Sequence, residues 1–374
     1  MSKEGQPDFI PGLRLSQLFY TEAVAPVLAR ACPGLLHSAA LIGFGSDVIG
    51  MDDRRSTDHM WGPRMQLFLP EEGFESSHTL VNEALRANLP PVFHGYSTHF
   101  SPPDPNDHGV RCAEPHQHGP VEHLIEITTL PAYFQAELGW DTCRPLSAAD
   151  WLTFSEHRLL TLTSGGVWHD DLNLENIRSQ LAYYPQPVWM YLLASQWDLI
   201  GQEEQFVGRS AEVGDELGSR VLAARLVRLL MGLSFLLERR YTPYSKWFGS
   251  AFSRLELGPV LQPHLEAALS ASRYPQREQG LCAAYELCAQ RFNTLGLIAP
   301  VPERVSLFFT RPFNVIHGGE IARNLLAAIE DPHICQIPAL IGSVNQFSHS
   351  TILLDTIGLQ QHLRVLFDPP TNQS

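Results

Sequence analysis

Near residue 145 the spacing of apolar residues along this chain changes, and that change limits the architectures open to it. Before it, short runs rich in β-branched and aromatic residues are interleaved with stretches of helical period. After it, apolar residues recur at intervals of three and four almost throughout. A chain so divided reads as two domains of unlike construction, residues 1–145 and 146–374. The class expected is α+β: a mixed β-sheet with flanking helices, followed by a mainly α-helical domain.

Within the first part, Ser16 reads as the N-cap of a helix carrying Leu18, Phe19, Val24, Val27 and Leu28, stopped at Pro33-Gly34. Strands are expected at 39–44, 59–69, 92–100 and 121–129, with a helix over 75–87. The stretch 101–120, rich in Pro, His, Asp and Gly, reads as a long loop. In the second part, helices are expected at 147–151, 174–181, 187–203, 215–240, 260–272, 276–295 and 319–330, with one or two short strands near 305–309.

Charge narrows the partners. The 374 residues include 40 acidic and 26 basic side chains, a formal charge of −14. That balance argues against holding a long nucleic acid, which requires many neutralised phosphates. Of the basic residues only Lys3 and Lys246 are lysines, so Lys246 stands apart from the arginines that carry the rest of the positive charge. Six cysteines without a CxxC pair, and no apolar leader at the N-terminus, give the expectation of reduced thiols in a cytoplasmic protein. No stretch is apolar for long enough to span a bilayer; the run at 226–237 is broken by Arg228.

The segment that carries chemistry is Leu41-Ile42-Gly43-Phe44-Gly45-Ser46, an apolar strand running into Gly-Ser. After eleven intervening residues Asp58 opens the next expected strand. Gly45 lets the backbone approach a phosphate closely, and Ser46 offers a hydroxyl to a phosphate oxygen. A carboxylate on the adjacent strand suits magnesium, a hard cation that prefers oxygen. This segment resembles the signature of the nucleotidyltransferase superfamily that includes DNA polymerase β and the kanamycin nucleotidyltransferases.

The resemblance implies a nucleoside triphosphate as substrate, with ATP the expected one, and Mg2+ held by acids of the sheet. Asp58 is the first of these. The superfamily usually has a second carboxylate at position 60, where this chain has Met60, a poor magnesium ligand. Asp47, Asp52, Asp53 or a water held by His59 are the substitutes within reach. Glu126 lies between Ile125 and Ile127 on an expected strand and so faces away from them; it is the expected third acid, against the plainer reading of a solvent-facing glutamate.

In the later half, Asp215 and Glu216 stand at the head of the longest helix. They serve either as capping acids or, as an acid of the helical domain does in aminoglycoside nucleotidyltransferases, as the general base for an acceptor hydroxyl. Lys246 and Arg64 are candidate phosphate-binding cations. The cluster Glu114, His116, His118 and His123 reads as a polar loop rather than a zinc site, and Asp170-Asp171 as solvated. A closer resemblance, carried by Gly45-Ser46-Asp47-Val48-Ile49-Gly50, Ser56-Thr57-Asp58-His59, Trp61-Gly62-Pro63-Arg64 and Tyr241-Thr242-Pro243-Tyr244-Ser245-Lys246-Trp247-Phe248, is to an uncharacterised bacterial family of nucleotidyltransferase-like proteins whose later half is a domain of unknown function. The function expected is transfer of a nucleoside monophosphate to a hydroxyl or phosphate of a small molecule or protein. The alternative is an inactive nucleotide-binding or regulatory protein that keeps the fold.

Overall fold

A computed structural model describes residues 8–57, 59–107 and 109–368. The chain folds into two units, each taken by itself. The first comprises residues up to Pro145 together with Arg158–Ala182; the second comprises Leu146–His157 and the residues from Tyr183 onward. The change of period at 145 thus marks the first crossing between units. It does not mark the last, because 158–182, expected in the helical domain, returns to the first unit.

The first unit is built on a four-stranded mixed sheet. Strands β1 (Ser38–Leu41), β2 (Arg64–Phe68), β5 (Leu124–Thr128) and β6 (Gly166–Asp170) lie in the order β5-β2-β1-β6. The hairpin β3 (Val92–Phe93) and β4 (Tyr96–Ser97) stands outside that sheet, so the strand expected at 92–100 is instead a tight two-stranded turn. β1 runs antiparallel to both its neighbours, whereas β2 and β5 are parallel.

Alternation assigns the two faces. Ala39, Met65, Leu67 and Ile125 point into the main apolar core, which Leu15, Phe19, Val24, Val81 and Leu85 close from helices Gly12–Phe19 and Phe74–Asn88 and the π turn Tyr20–Val24. Arg64, Gln66, Phe68 and Glu126 therefore share the opposite face, where Tyr133 of helix Leu130–Leu138 meets Phe68 edge-on at 5.3 Å between ring centroids. The first helix begins at Gly12, not after Ser16. Ser16 is fully buried within it and its hydroxyl accepts from the Trp168 indole of β6 at 3.1 Å, so a tertiary partner replaces the expected cap.

β6 was hidden in the sequence because Gly166-Val167-Trp168-His169-Asp170 has no apolar alternation. Its pairing with β1 is interrupted by an irregularity at Ala39/Ala40. The second expected strand, 59–69, is also shorter than its apolar pattern: it follows a 3-10 turn at residues 54–57, and Met60 takes a left-handed conformation at φ 49°. The first regular strand residue is Arg64.

The second unit is mainly helical, as the 3.6-residue period predicts. Helices Gln186–Glu203, Glu216–Leu237, Gly258–Ser270, Tyr274–Asn293 and Gly318–Ala327 fall within a few residues of their expected bounds. Glycines set the closest approach: a Cβ on Gly201 would collide with the backbone of Gly318-Gly319, so helix 186–203 and helix 318–327 meet backbone to backbone. Glu204, just past the first of these, accepts from the N–H groups of Ile316 (2.7 Å) and Gly318 (3.1 Å), anchoring the start of the second. Among the described residues no helix is long and apolar enough to cross a membrane.

Candidate functional site

The Gly-Ser turn grows directly out of β1. Gly43 and Gly45 have φ of +78° and +126°, backbone conformations that L side chains rarely adopt. The turn is held from three sides. Arg64, only 5% exposed, donates through one guanidinium nitrogen to the Phe44 carbonyl and to Asp47 Oδ1, each at 2.7 Å, and Asp47 is itself 1% exposed. A Cβ on Gly45 would fall on both of those side chains. The returning segment supplies the remaining grip, with Gly43 N–H donating to Thr161 O and Gly165 N–H to Val48 O.

This geometry gives Arg64 a definite task. It stabilises the turn from beneath, as a buried cation paired with a buried acid, and is not open to solvent as a phosphate-binding side chain would be. Asp47 is correspondingly committed. Asp52 is also engaged, accepting from Gly12 N–H at 2.7 Å and from the Trp61 indole at 3.1 Å. Trp61 is buried in the core, stacked on Phe9 and edge-on to Tyr96. Of the loop acids considered as substitutes for a second metal ligand, only Asp53 is exposed, and its Oδ1 accepts from Arg55 N–H.

Ser46 sits half-buried at the tip of the turn. Its carbonyl accepts from Met51 N–H, while its hydroxyl bonds no neighbour among the described residues. Glu126 lies two strands from β1 on the same face as Arg64 and Gln66, with its Cα directly paired with that of Gln66. Gln66 joins these parts: its amide oxygen accepts from Ile42 N–H at the end of β1, and its amide nitrogen donates weakly to Glu126 Oε2 at 3.4 Å.

Solvent reaches Glu126, yet its surroundings raise its pKa. Desolvation is the main cause, Glu137 adds to it, and Gln66 and Arg64 oppose it. No ion pair among the described residues satisfies this carboxylate. A cation would stabilise its charged form, so an oxygen-preferring metal fits here. Asp58, the other expected ligand, lies outside the described residues. Met60 is turned elsewhere, its N–H donating to Arg111 O and its sulfur accepting from Arg111 N–H at 3.4 Å.

The candidates of the second unit are accounted for within that unit. Asp215 caps helix Glu216–Leu237, accepting from Gly218 N–H at 2.7 Å. Glu216 pairs at 3.0 Å with Arg277, which is fully buried and also donates to Ser219 Oγ. Lys246 is exposed, its ammonium 4.9 Å from the Trp247 ring centroid. Its neighbour Phe248 stacks on Phe235, twenty residues along the helix from Asp215, so roughly 30 Å of helix separates the capping acids from the lysine's surroundings. Asp215, Glu216 and Lys246 do not converge on one phosphate.

The histidine loop is held by side-chain and backbone bonds. His116 stacks on His99 at 4.1 Å, and Arg111 donates to the carbonyls of Ser101, Glu122 and His123. His123 is buried, and desolvation, reinforced by Arg111, brings its pKa down to about 4. Asp170 and Asp171, expected to be merely solvated, both have partners. Asp170 accepts from Ser38 Oγ and from the N–H groups of Leu174 and Glu175 at the start of helix Leu174–Gln180.

A family model described as Domain of unknown function (DUF4037) matches residues 151–248. The matched stretch begins in the second unit, passes through 158–182 of the first and returns to the second. Its description names no activity. No curated protein matches the chain.

Proposed function

We propose that the first unit is a nucleotidyltransferase catalytic domain that takes a nucleoside triphosphate with Mg2+ and transfers the nucleoside monophosphate to a hydroxyl or phosphate of a small molecule or protein. The observation that carries this reading is the joint placement of the Gly45-Ser46 turn and Glu126, linked through Gln66 on one face of the sheet. A free serine hydroxyl beside glycines in left-handed backbone is a phosphate-binding device. A carboxylate on the same face, two strands away and in no ion pair among the described residues, supplies the oxygen ligand that magnesium prefers.

In this scheme Gly45 lets the chain approach the phosphates, Ser46 donates its hydroxyl to a phosphate oxygen, and Arg64 and Asp47 keep the turn from relaxing. Asp58 and Glu126 would hold the metal. When bound, magnesium withdraws charge from the phosphate oxygens and so stabilises the transferring group electrostatically.

A second reading, nucleotide binding without turnover, rests on Met60, whose thioether stands where the superfamily has a carboxylate and bonds Arg111 instead. One experiment separates the two. The purified chain is incubated with Mg2+, each α-labelled nucleoside triphosphate and a panel of acceptors, while pyrophosphate release and label transfer are followed. Magnesium-dependent release that Asp58→Asn and Glu126→Gln abolish is the expected result. Nucleotide binding by thermal shift with no release from any nucleotide would leave only the second reading.

A further inference from the structure

The register of β1 against β6 brings together two imidazoles and a carboxylate that the sheet site does not use. Ser38 is paired with Asp170 and Ala39 with His169, which places His37 opposite Asp171. Positions 37, 39, 169 and 171 then point to one face of the sheet, with a small alanine at the fourth corner. One ligand atom from each of His37, His169 and Asp171 lies within 4.8 Å of the other two. The His37 and His169 rings face each other at 4.4 Å, and His169 Nε2 is 2.8 Å from Asp171 Oδ2.

The buried member is already oriented as a ligand. His37 Nδ1 lies 3.1 Å from the Leu35 carbonyl, which fixes the proton on that nitrogen and leaves Nε2 as the lone pair. Tyr20 lies 3.0 Å from Nε2 and donates its hydroxyl there; desolvation raises the phenol pKa to about 12, so it is protonated at neutral pH. His169 and Asp171 close the other side with side chains 38% and 34% exposed, leaving a path for an ion to enter.

We infer that His37, His169 and Asp171 form a binding site for a first-row transition metal ion of the zinc class, with the remaining position open to water. Two imidazoles and one carboxylate select such an ion over magnesium or calcium, which prefer oxygen. Entry of the ion displaces the Tyr20 hydroxyl from His37 Nε2. It also moves the His169 proton to Nδ1, freeing Nε2, so no proton needs to leave the protein. The site lies at the start of β1, at the opposite end of that strand from the Gly-Ser turn, and it ties β6 to β1. It is independent of the proposed transferase reaction.

The test uses the full chain, stripped with a chelator and loaded with Zn2+ in excess Mg2+, with bound metal measured after gel filtration. One equivalent of zinc is expected. His169→Ala and Asp171→Asn should each weaken its binding by at least about tenfold. His118→Ala, in the remote loop, should leave it unchanged. X-ray absorption at the zinc edge of the unaltered protein provides a readout that does not depend on any variant folding, and nitrogen and oxygen ligation is expected. Failure to retain stoichiometric zinc, retention undiminished in both variants, or sulfur ligation from a cysteine would each overturn the assignment.

Discussion

Arg64 and Asp47 form an ion pair at 2.7 Å in which both side chains are almost wholly withdrawn from water, directly beneath a glycine that has no room for a methyl group. A buried pair of this kind adds little net stability compared with an apolar pair, but losing one partner leaves an unpaired buried charge. Arg64→Met or Asp47→Leu alone should therefore cost about 3–5 kcal/mol of unfolding free energy, while the double variant recovers part of it. Urea denaturation of the three proteins measures this, and additive single effects would show that the two residues act separately.

Gly45→Ala should lower both stability and any nucleotide binding. The new methyl meets Arg64 and Asp47, and φ of +126° strains any L residue. Ser46→Ala tests the hydroxyl without touching the backbone. It should keep the melting temperature and reduce turnover by about 10–100-fold, the value of one charge-assisted hydrogen bond.

The pH response of Glu126 has a definite sign. Its pKa is raised in the folded state, so the native protein holds that proton more tightly than the unfolded chain. Its contribution to stability is fully present below its ordinary value of 4.5 and is lost as pH rises through the folded value. Glu126→Gln should remove that dependence and leave stability at neutral pH unchanged or slightly higher. Magnesium-dependent turnover should fall by about 10²–10³-fold or more. A variant equal to the parent in turnover would remove Glu126 from the metal site.

Glu204 gives a second pH probe, located in the helical unit. Desolvation raises its pKa to about 7 from 4.5, against the pull of the backbone N–H groups of Ile316, Gly318 and His317. By the same sign rule, that unit should lose stability as pH climbs from about 4.5 through about 7, and Glu204→Gln should flatten the trend. The glutamine keeps only one acceptor oxygen, so a cost of about 1–3 kcal/mol is expected at low pH. Thermal melts across this range, followed by a helical signal, decide the matter.

Glu216 separates structure from catalysis. Removing its carboxylate leaves the fully buried Arg277 with Ser219 Oγ and the Ala271 carbonyl as its remaining bonds. Glu216→Gln should therefore lower the melting temperature while leaving kcat unchanged in the folded protein. Loss of kcat with full stability would instead support the general-base reading.

What the sequence made legible was local. The helices of the second unit follow from uninterrupted 3.6-residue periodicity, and the helix expected from 147 begins one residue later, at Ala148, with Ser147 as its N-cap in a capping box with Asp150. The Gly45-Ser46 turn could be found because glycine and serine announce its backbone chemistry. The restraint on that turn could not: Arg64 and Asp47 are seventeen residues apart, and nothing in either residue type signals burial. The same holds for His37, which meets His169 and Asp171 only because β6 pairs with β1 across more than 130 residues. His169-x-Asp171 does have the two-residue period that puts both side chains on one face of a strand, a signal available once the strand is known.

The return of residues 158–182 has a practical meaning for anyone cutting this protein into parts. A fragment ending at 145 keeps β1 but removes the strand that covers one of its edges, leaving unpaired backbone groups ready to join another chain. The same cut removes Thr161 and Gly165, two of the groups that grip the Gly-Ser turn. Neither unit can be excised as one continuous stretch of the gene, and a soluble first unit would need 158–182 rejoined to it through a linker replacing 146–157.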